Sequence, residues 1–323
     1  MTEGHYHLAS VLLYDPDPAL RHNTRSALLN IGFGDVVAVE EFGEFLDKAS
    51  TGEFDLVLAD ARSPDGRTLS LVQDIRRNIR GKNPFVNVII SLWDTAPEIV
   101  ETVINSGADD LISRPMSRTH ILERVVRQVE ARKPFIVTTD YVGPDRRQVP
   151  RGYPLGSAMV VPNNLQAKIQ NKPEFAATPE TIQAATQAVN DRKIAIYTEQ
   201  LQRLSSALLL LSAGFEEMSD RNGVAHNMCS IAERLSARIE GTKLSHVTSL
   251  CDGLTDLLRN IEKSQAVLSV QERELLVQIP LAIQKACAQV QETVSVVFDI
   301  RDVSARLRRR RARLPAAGFG DRA

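Results

Sequence analysis

Residues Phe54 to Gly66 read FDLVLADARSPDG. Its first part is a continuous apolar run with no alternation of apolar and polar positions. A strand of that kind is buried on both faces, as in a parallel sheet covered by helices on either side. The run stops at Asp60. In open α/β sheets ligands bind outside the carboxyl ends of the strands, so the pattern places a carboxylate where a site is expected.

Working outward, the same logic repeats. His7 to Tyr14 is a β-rich run ending at Asp15. Asp17 to Ile31 has a helical period, with Ala19, Leu20, Ala27, Leu28 and Ile31 on one face. Val36 to Val39 reads as a short strand, and Phe42, Phe45, Leu46 and Ala49 as the face of the next helix. Beyond Gly66, Leu69 to Ile79 is helical and Val86 to Ile90 is a strand ending at Ser91. Pro97 to Asn105 is helical, opened by a proline in its first turn. Leu111 to Ser113 is a brief strand followed by Arg114, and Ser117 to Ala131 is the last helix. Five successive strand–helix units predict a doubly wound, five-stranded parallel sheet over 7–133. Asp15, Asp60, Ser91 and Arg114 should meet at one rim of it. Two acids, a hydroxyl and a guanidinium suit phosphoryl transfer to a carboxylate, whose transition state needs positive charge and oriented donors.

Residues 7–133 resemble the receiver domain of response regulators. The matching pieces are VLLYDPDPALR at Val11 to Arg21, FDLVLADARSPDG at Phe54 to Gly66, VIISLW at Val88 to Trp93 and GADDLISRP at Gly107 to Pro115. The resemblance implies a flavodoxin-like fold, a phosphoacceptor at Asp60, and a Mg²⁺ ion held by Asp15, Asp60 and the Arg62 backbone carbonyl. It makes Ser91 and Arg114 the phosphoryl-contacting switch residues, and Pro64 and Pro115 the prolines that shape the adjoining loops, with the bond before Pro115 usually cis. It implies a bacterial phosphorelay, with a histidine kinase or phosphotransfer protein as partner, and signalling rather than an enzymatic output.

The sequence also departs from the family pattern. Pro16 replaces the second acid of the family's acidic pair, which implies magnesium binding that is weakened or lost. Arg114 replaces a lysine, and its planar fork delivers charge differently. Leu111 stands where many members carry a switching aromatic. Two readings follow: a working receiver, and a receiver-like docking scaffold that takes no phosphoryl group.

Past the receiver, 134–176 is rich in proline and loses periodicity, which predicts an extended, mobile linker containing GPDRR at Gly143 to Arg147. From 177 to 307 helical periodicity dominates. Ile194, Tyr197, Leu201, Leu204, Leu208, Leu211, Phe215 and Met218 form a heptad seam. Further apolar sets run from Met228 to Ile239, Leu244 to Ile261 and Ile279 to Ile300. Gly223 and Gly241 read as breaks between helices. This predicts a separate all-α bundle, and the same seam would serve a homodimer. His226, in AHNMCSIAERL, has a distant likeness to a phosphotransfer histidine; a structural histidine is the plainer reading, and His246 has less context still. The tail 308–323, with the arginines from Arg306 to Arg313 at its start, is expected to be disordered and basic. Such a run can bind nucleic acid without sequence preference, although a solvated charge run is the preferred reading.

Composition sets the remaining bounds. The 323 residues carry 39 basic and 40 acidic side chains, so no global field draws the chain to nucleic acid or to an anionic membrane. No apolar run is long enough to span a bilayer, and the opening MTEGHYHLAS, without a basic segment and an apolar core, is not expected to act as a signal peptide. Three cysteines without CxxC spacing fit a reducing cytoplasm, with Cys229, Cys251 and Cys287 as buried free thiols.

Overall fold

A computed structural model describes residues 4–63, 66–147, 158–212, 218–264 and 267–288. The chain divides into two compact units, residues 1–190 and 191–323.

The first unit is built on five parallel strands. They are β1 (Ser10–Tyr14), β2 (Asp35–Val39), β3 (Leu56–Asp60), β4 (Asn87–Leu92) and β5 (Asp110–Ser113), in the order β2-β1-β3-β4-β5. The helices are α1 (Pro18–Ile31), α2 (Phe42–Thr51), α3 (Arg67–Arg76), α4 (Pro97–Asn105) and α5 (Arg118–Glu130). Successive strand residues point to opposite faces. Val11, Leu13, Leu56, Leu58 and Ile89 therefore enter one core with Leu28 of α1 and Ile121, Val125 and Val129 of α5. Leu12, Tyr14, Val57, Ala59, Val88 and Ile90 enter the other with Phe42 and Phe45 of α2, Leu71 and Ile75 of α3, and Val103 of α4. Each residue of β3 is buried, as the unbroken apolar run requires.

Helix boundaries follow local chemistry. Asp17 caps α1, its carboxylate accepting from the Ala19 and Leu20 amides, and Pro18 occupies the first turn. Gly32, at φ 118°, ends that helix. Helix α3 ends at Arg76, earlier than its apolar period suggests, and Asn78 follows in a left-handed conformation.

The stretch expected to be a mobile linker is folded where it is described, which corrects the sequence reading. Strands β6 (Phe135–Val137), β7 (Val142–Pro144) and β8 (Ala158–Met159) form a small antiparallel sheet in the order β7-β6-β8. A short helix, α6 (Asn164–Ile169), follows it. The reason is buried charge. Phe135, with no exposed surface, has the guanidinium groups of Arg76 (5.2 Å) and Arg132 (5.1 Å) over its ring. Arg76 donates to Asp109 and to the carbonyls of Gly107, Pro84 and Val86. Arg132 donates to the other Asp109 oxygen and to the carbonyls of Phe85 and Pro162. GPDRR docks as well: Arg146 stacks on Tyr141 at 4.0 Å and donates to Asn105 at the end of α4. Helix α6 lies at the amino-terminal edge of the parallel strands, where Asp55 accepts from Asn164 and Lys168, and Asn163 bonds to Asn87 and the Gln128 carbonyl. Proline content signalled irregular backbone here, but tertiary partners gave that backbone one conformation.

Where it is described, the second unit is helical. Most of helix α7 (Pro179–Leu211) belongs to it. Then come α8 (Met218–Ile239), α9 (Thr248–Lys263) and a helix α10 over 270–288. Ile194, Tyr197, Leu201 and Leu208 of the seam are buried in a core with Met228, Leu235, Leu254, Leu258, Leu276 and Ile283. Phe215 and the apolar set beyond residue 288 lie outside the described residues, as does the arginine tail. Gly241, at φ 69°, separates two helices as expected. Gly223 does not, because it sits inside α8 with open space where a Cβ would stand. Among the described residues no helix is long and apolar enough to cross a membrane.

Candidate functional site

Asp60 and Ser91 are register partners at the ends of β3 and β4. Asp15 follows β1, the other neighbour of β3, and Arg114 follows β5, the other neighbour of β4. The sheet order thus brings together the four residues predicted for the site. All four are buried: Asp15 and Asp60 have no exposed surface, Ser91 has 1% and Arg114 has 8%.

Arg114 is the hub. One of its Nη atoms contacts Asp15 Oδ2 at 2.5 Å and Ser91 Oγ at 2.9 Å, and its Nε lies 3.1 Å from Asp60 Oδ2. The peptide bond between Arg114 and Pro115 is cis. Asp15 Oδ1 accepts from the Asp17 amide at 3.0 Å, and Arg21 donates to the Asp15 carbonyl. Burial pushes the Asp15 carboxyl above its ordinary pKa, opposed by the Asp17 amide and by Arg114, which favour the charged form.

Arg62 contributes in a way its position in the sequence did not announce. Its backbone amide donates to Asp60 Oδ1 at 2.7 Å. Its guanidinium reaches back to the same carboxylate, with Nε 3.1 Å from Oδ1 and Nη2 3.2 Å from Oδ2. The bond to Asp60 raises the Arg62 pKa. The Arg62 side chain is half exposed and lies over Trp93, 5.6 Å from the ring centroid, while Arg114 lies 5.9 Å from the same ring. Asp60 is therefore held by two guanidinium groups, each lying over the Trp93 ring. An arginine two residues after the strand-end acid was visible in the sequence. Its side chain turning back was not.

Asp17 is committed to capping α1, and Pro16 offers no ligand. Among the described residues, no group of three or more His, Cys, Asp or Glu could hold a metal ion. Pro64 lies outside the described residues. In the helical unit His226 is exposed, with Nδ1 3.5 Å from Glu262 Oε1.

Residues 11–126 match the response regulator receiver domain family. A rice (Oryza sativa subsp. japonica) protein described as a two-component response regulator is 34% identical over 113 residues, which span 33% of this chain and 84% of that protein. The chain belongs to the two-component response regulator family. Its receiver domain has the CheY-like, flavodoxin-type fold, and receiver domains serve signalling rather than catalysis. Vibrio cholerae chemotaxis protein CheY4 is a solved structure similar to it, at 24% identity over 37% of this chain and 98% of that one, with a TM-score of 0.33. A CheY-like receiver protein from Methanospirillum hungatei is 27% identical over 38% and 93%, at 0.33. The receiver domain of a Pseudomonas aeruginosa sensor histidine kinase, described with magnesium in its active site cleft, is 22% identical over 37% and 95%, at 0.33. With rice among the relatives, the kinship does not single out a bacterial source.

Proposed function

We propose that Asp60 takes a phosphoryl group from a partner histidine kinase or phosphotransfer protein, and that the change at its site governs the helical region as output. The observation that carries this reading is the grip of one buried guanidinium, Arg114, on Asp15, Asp60 and Ser91 at once. An aspartyl phosphate adds negative charge where Asp60 had one, so the product needs a fixed cation and a hydroxyl donor. Arg114 supplies the first from a side chain only 2% exposed, where solvent screens little. Ser91 supplies the second.

Magnesium does not fit this arrangement. It demands near-octahedral oxygen coordination, usually with one or two carboxylates and several waters. Both Asp60 oxygens and both Asp15 oxygens already accept N–H donors. Two carboxylates and two guanidiniums balance to zero.

Incubation of the full chain with phosphoramidate tests the reading. The expected result is a gain of one phosphoryl mass that Asp60→Asn abolishes. No gain in the wild-type chain under any metal condition refutes it. The second reading, docking without phosphorylation, is favoured by the complete occupancy of the Asp60 carboxylate and would then stand.

A further inference from the structure

From the disagreement between this site and a magnesium centre, we infer that the receiver binds its phosphoryl group without a metal, using Arg62 as the mobile second cation. This rests on Asp60 being the phosphoacceptor. The two guanidiniums that hold Asp60 differ in freedom. Arg114 is enclosed and tied to three partners, so it can only be a fixed wall. Arg62 is half exposed and held by Asp60 on one side and the Trp93 face on the other. It can leave Asp60 without leaving the site, because the half-exposed indole gives its charge a second resting place.

The two Asp60 oxygens differ as well. Oδ1 keeps the Arg62 backbone amide whatever the side chain does, which fixes the carboxylate plane. Among the described residues, Oδ2 contacts only guanidinium donors, Arg62 Nη2 and Arg114 Nε. When Arg62 swings outward, Oδ2 is the exposed nucleophile and faces the gap that opens. With phosphoramidate, Oδ2 attacks phosphorus and the new O–P bond forms as the P–N bond breaks. The nitrogen departs with the bonding pair as ammonia, and the carboxylate becomes a mixed anhydride. The phosphoryl oxygens then meet Arg62 on the outer side and Arg114 with Ser91 on the inner side. Guanidinium matches such an anion with paired, planar donors. The ligand class of the Arg62–Trp93 rim is thus a tetrahedral phosphoryl oxyanion.

The experiment is phosphorylation of the full chain by phosphoramidate, followed by intact mass, in excess EDTA and in millimolar magnesium. It compares wild type, Asp60→Asn, Arg62→Ala and Arg62→Lys. We expect wild-type rates within about twofold in the two conditions, no modification of Asp60→Asn, and at least a tenfold loss for Arg62→Ala in EDTA that Arg62→Lys partly restores. Wild-type modification that appears only with magnesium overturns the metal-free site while leaving Asp60 as phosphoacceptor. An Arg62→Ala rate in EDTA equal to wild type overturns the role of Arg62. No modification in either condition removes the phosphoacceptor reading itself.

Discussion

Asp109→Asn is expected to cost the fold a large share of its stability without touching the Asp60 site. Asp109 has both oxygens committed: one to Arg76 at 2.7 Å and the Val88 amide at 2.8 Å, the other to Arg132 at 2.8 Å. The side chains of Asp109, Arg76 and Arg132 are 0%, 1% and 7% exposed. Burial lowers the Arg76 pKa, and Asp109 opposes that shift. An amide in place of the carboxylate removes the only negative member of the trio and turns an N–H donor toward one of the guanidiniums. Breaking a buried pair on one side costs about 3–5 kcal/mol, a large fraction of the ~5–15 kcal/mol that holds a domain together. With a urea slope of about 2–3 kcal/mol/M, the unfolding midpoint should fall by roughly 1–2.5 M. Trp93 is the chain's one tryptophan, so its fluorescence follows the receiver unit without signal from the helical unit. Glu53→Gln is the control. Its bridge to Lys82 joins side chains 77% and 59% exposed, and its loss should leave the midpoint where it was. If Asp109→Asn shifts the midpoint no more than this control, the account of the extension as held by a buried charge network is refuted.

Tight packing at a glycine and burial of the thiols set two further outcomes. Gly107 is at φ 92°, and an added Cβ would stand 2.8 Å from Arg76 Cγ and 3.1 Å from the Val142 carbonyl oxygen. Gly107→Ala should therefore cost about 1–3 kcal/mol in the same urea assay, and an unchanged midpoint would mean that β7 does not press on this turn. The cysteines predict a chemical result. Burial pushes the Cys251 thiol up to about 12 and Cys287 to about 11, and raises Cys229 as well. A raised thiol pKa keeps the neutral, unreactive form, so at pH 8 the thiolate fractions of Cys251 and Cys287 are of order 10⁻⁴ and 10⁻³. Iodoacetamide should leave all three unlabelled in the native chain and label all three in denaturant, and rapid stoichiometric labelling of the folded protein would contradict the burial.

Legibility varied with the range of the interaction. The receiver strands were readable because burial on both faces leaves a mark in each strand's own composition, and Leu56 to Asp60 carried it without interruption. Asp15, Asp60, Ser91 and Arg114 were readable because each ends a strand or follows it, and parallel strands point the same way. The segment after α5 was misread because its apolar residues are few and its prolines many. Phe135 looks unremarkable in sequence. Its contact with Arg76 and Arg132 depends on α3 and on the chain just beyond α5. Gly223 was misread because glycine weakens a helix only by about 1 kcal/mol, which the packed face of α8 outweighs.

The succession of strands and helices, the rim on which the acids and the hydroxyl gather, and the helical character of the described second unit can be read from residue order. All of these are written in patterns repeated every two, three or four residues. That Arg62 turns back onto Asp60, that Asp109 holds two arginines, and that GPDRR is docked are matters of long-range packing. A buried charge requires a partner, and that partner comes from wherever the fold brings one, a position no local pattern records.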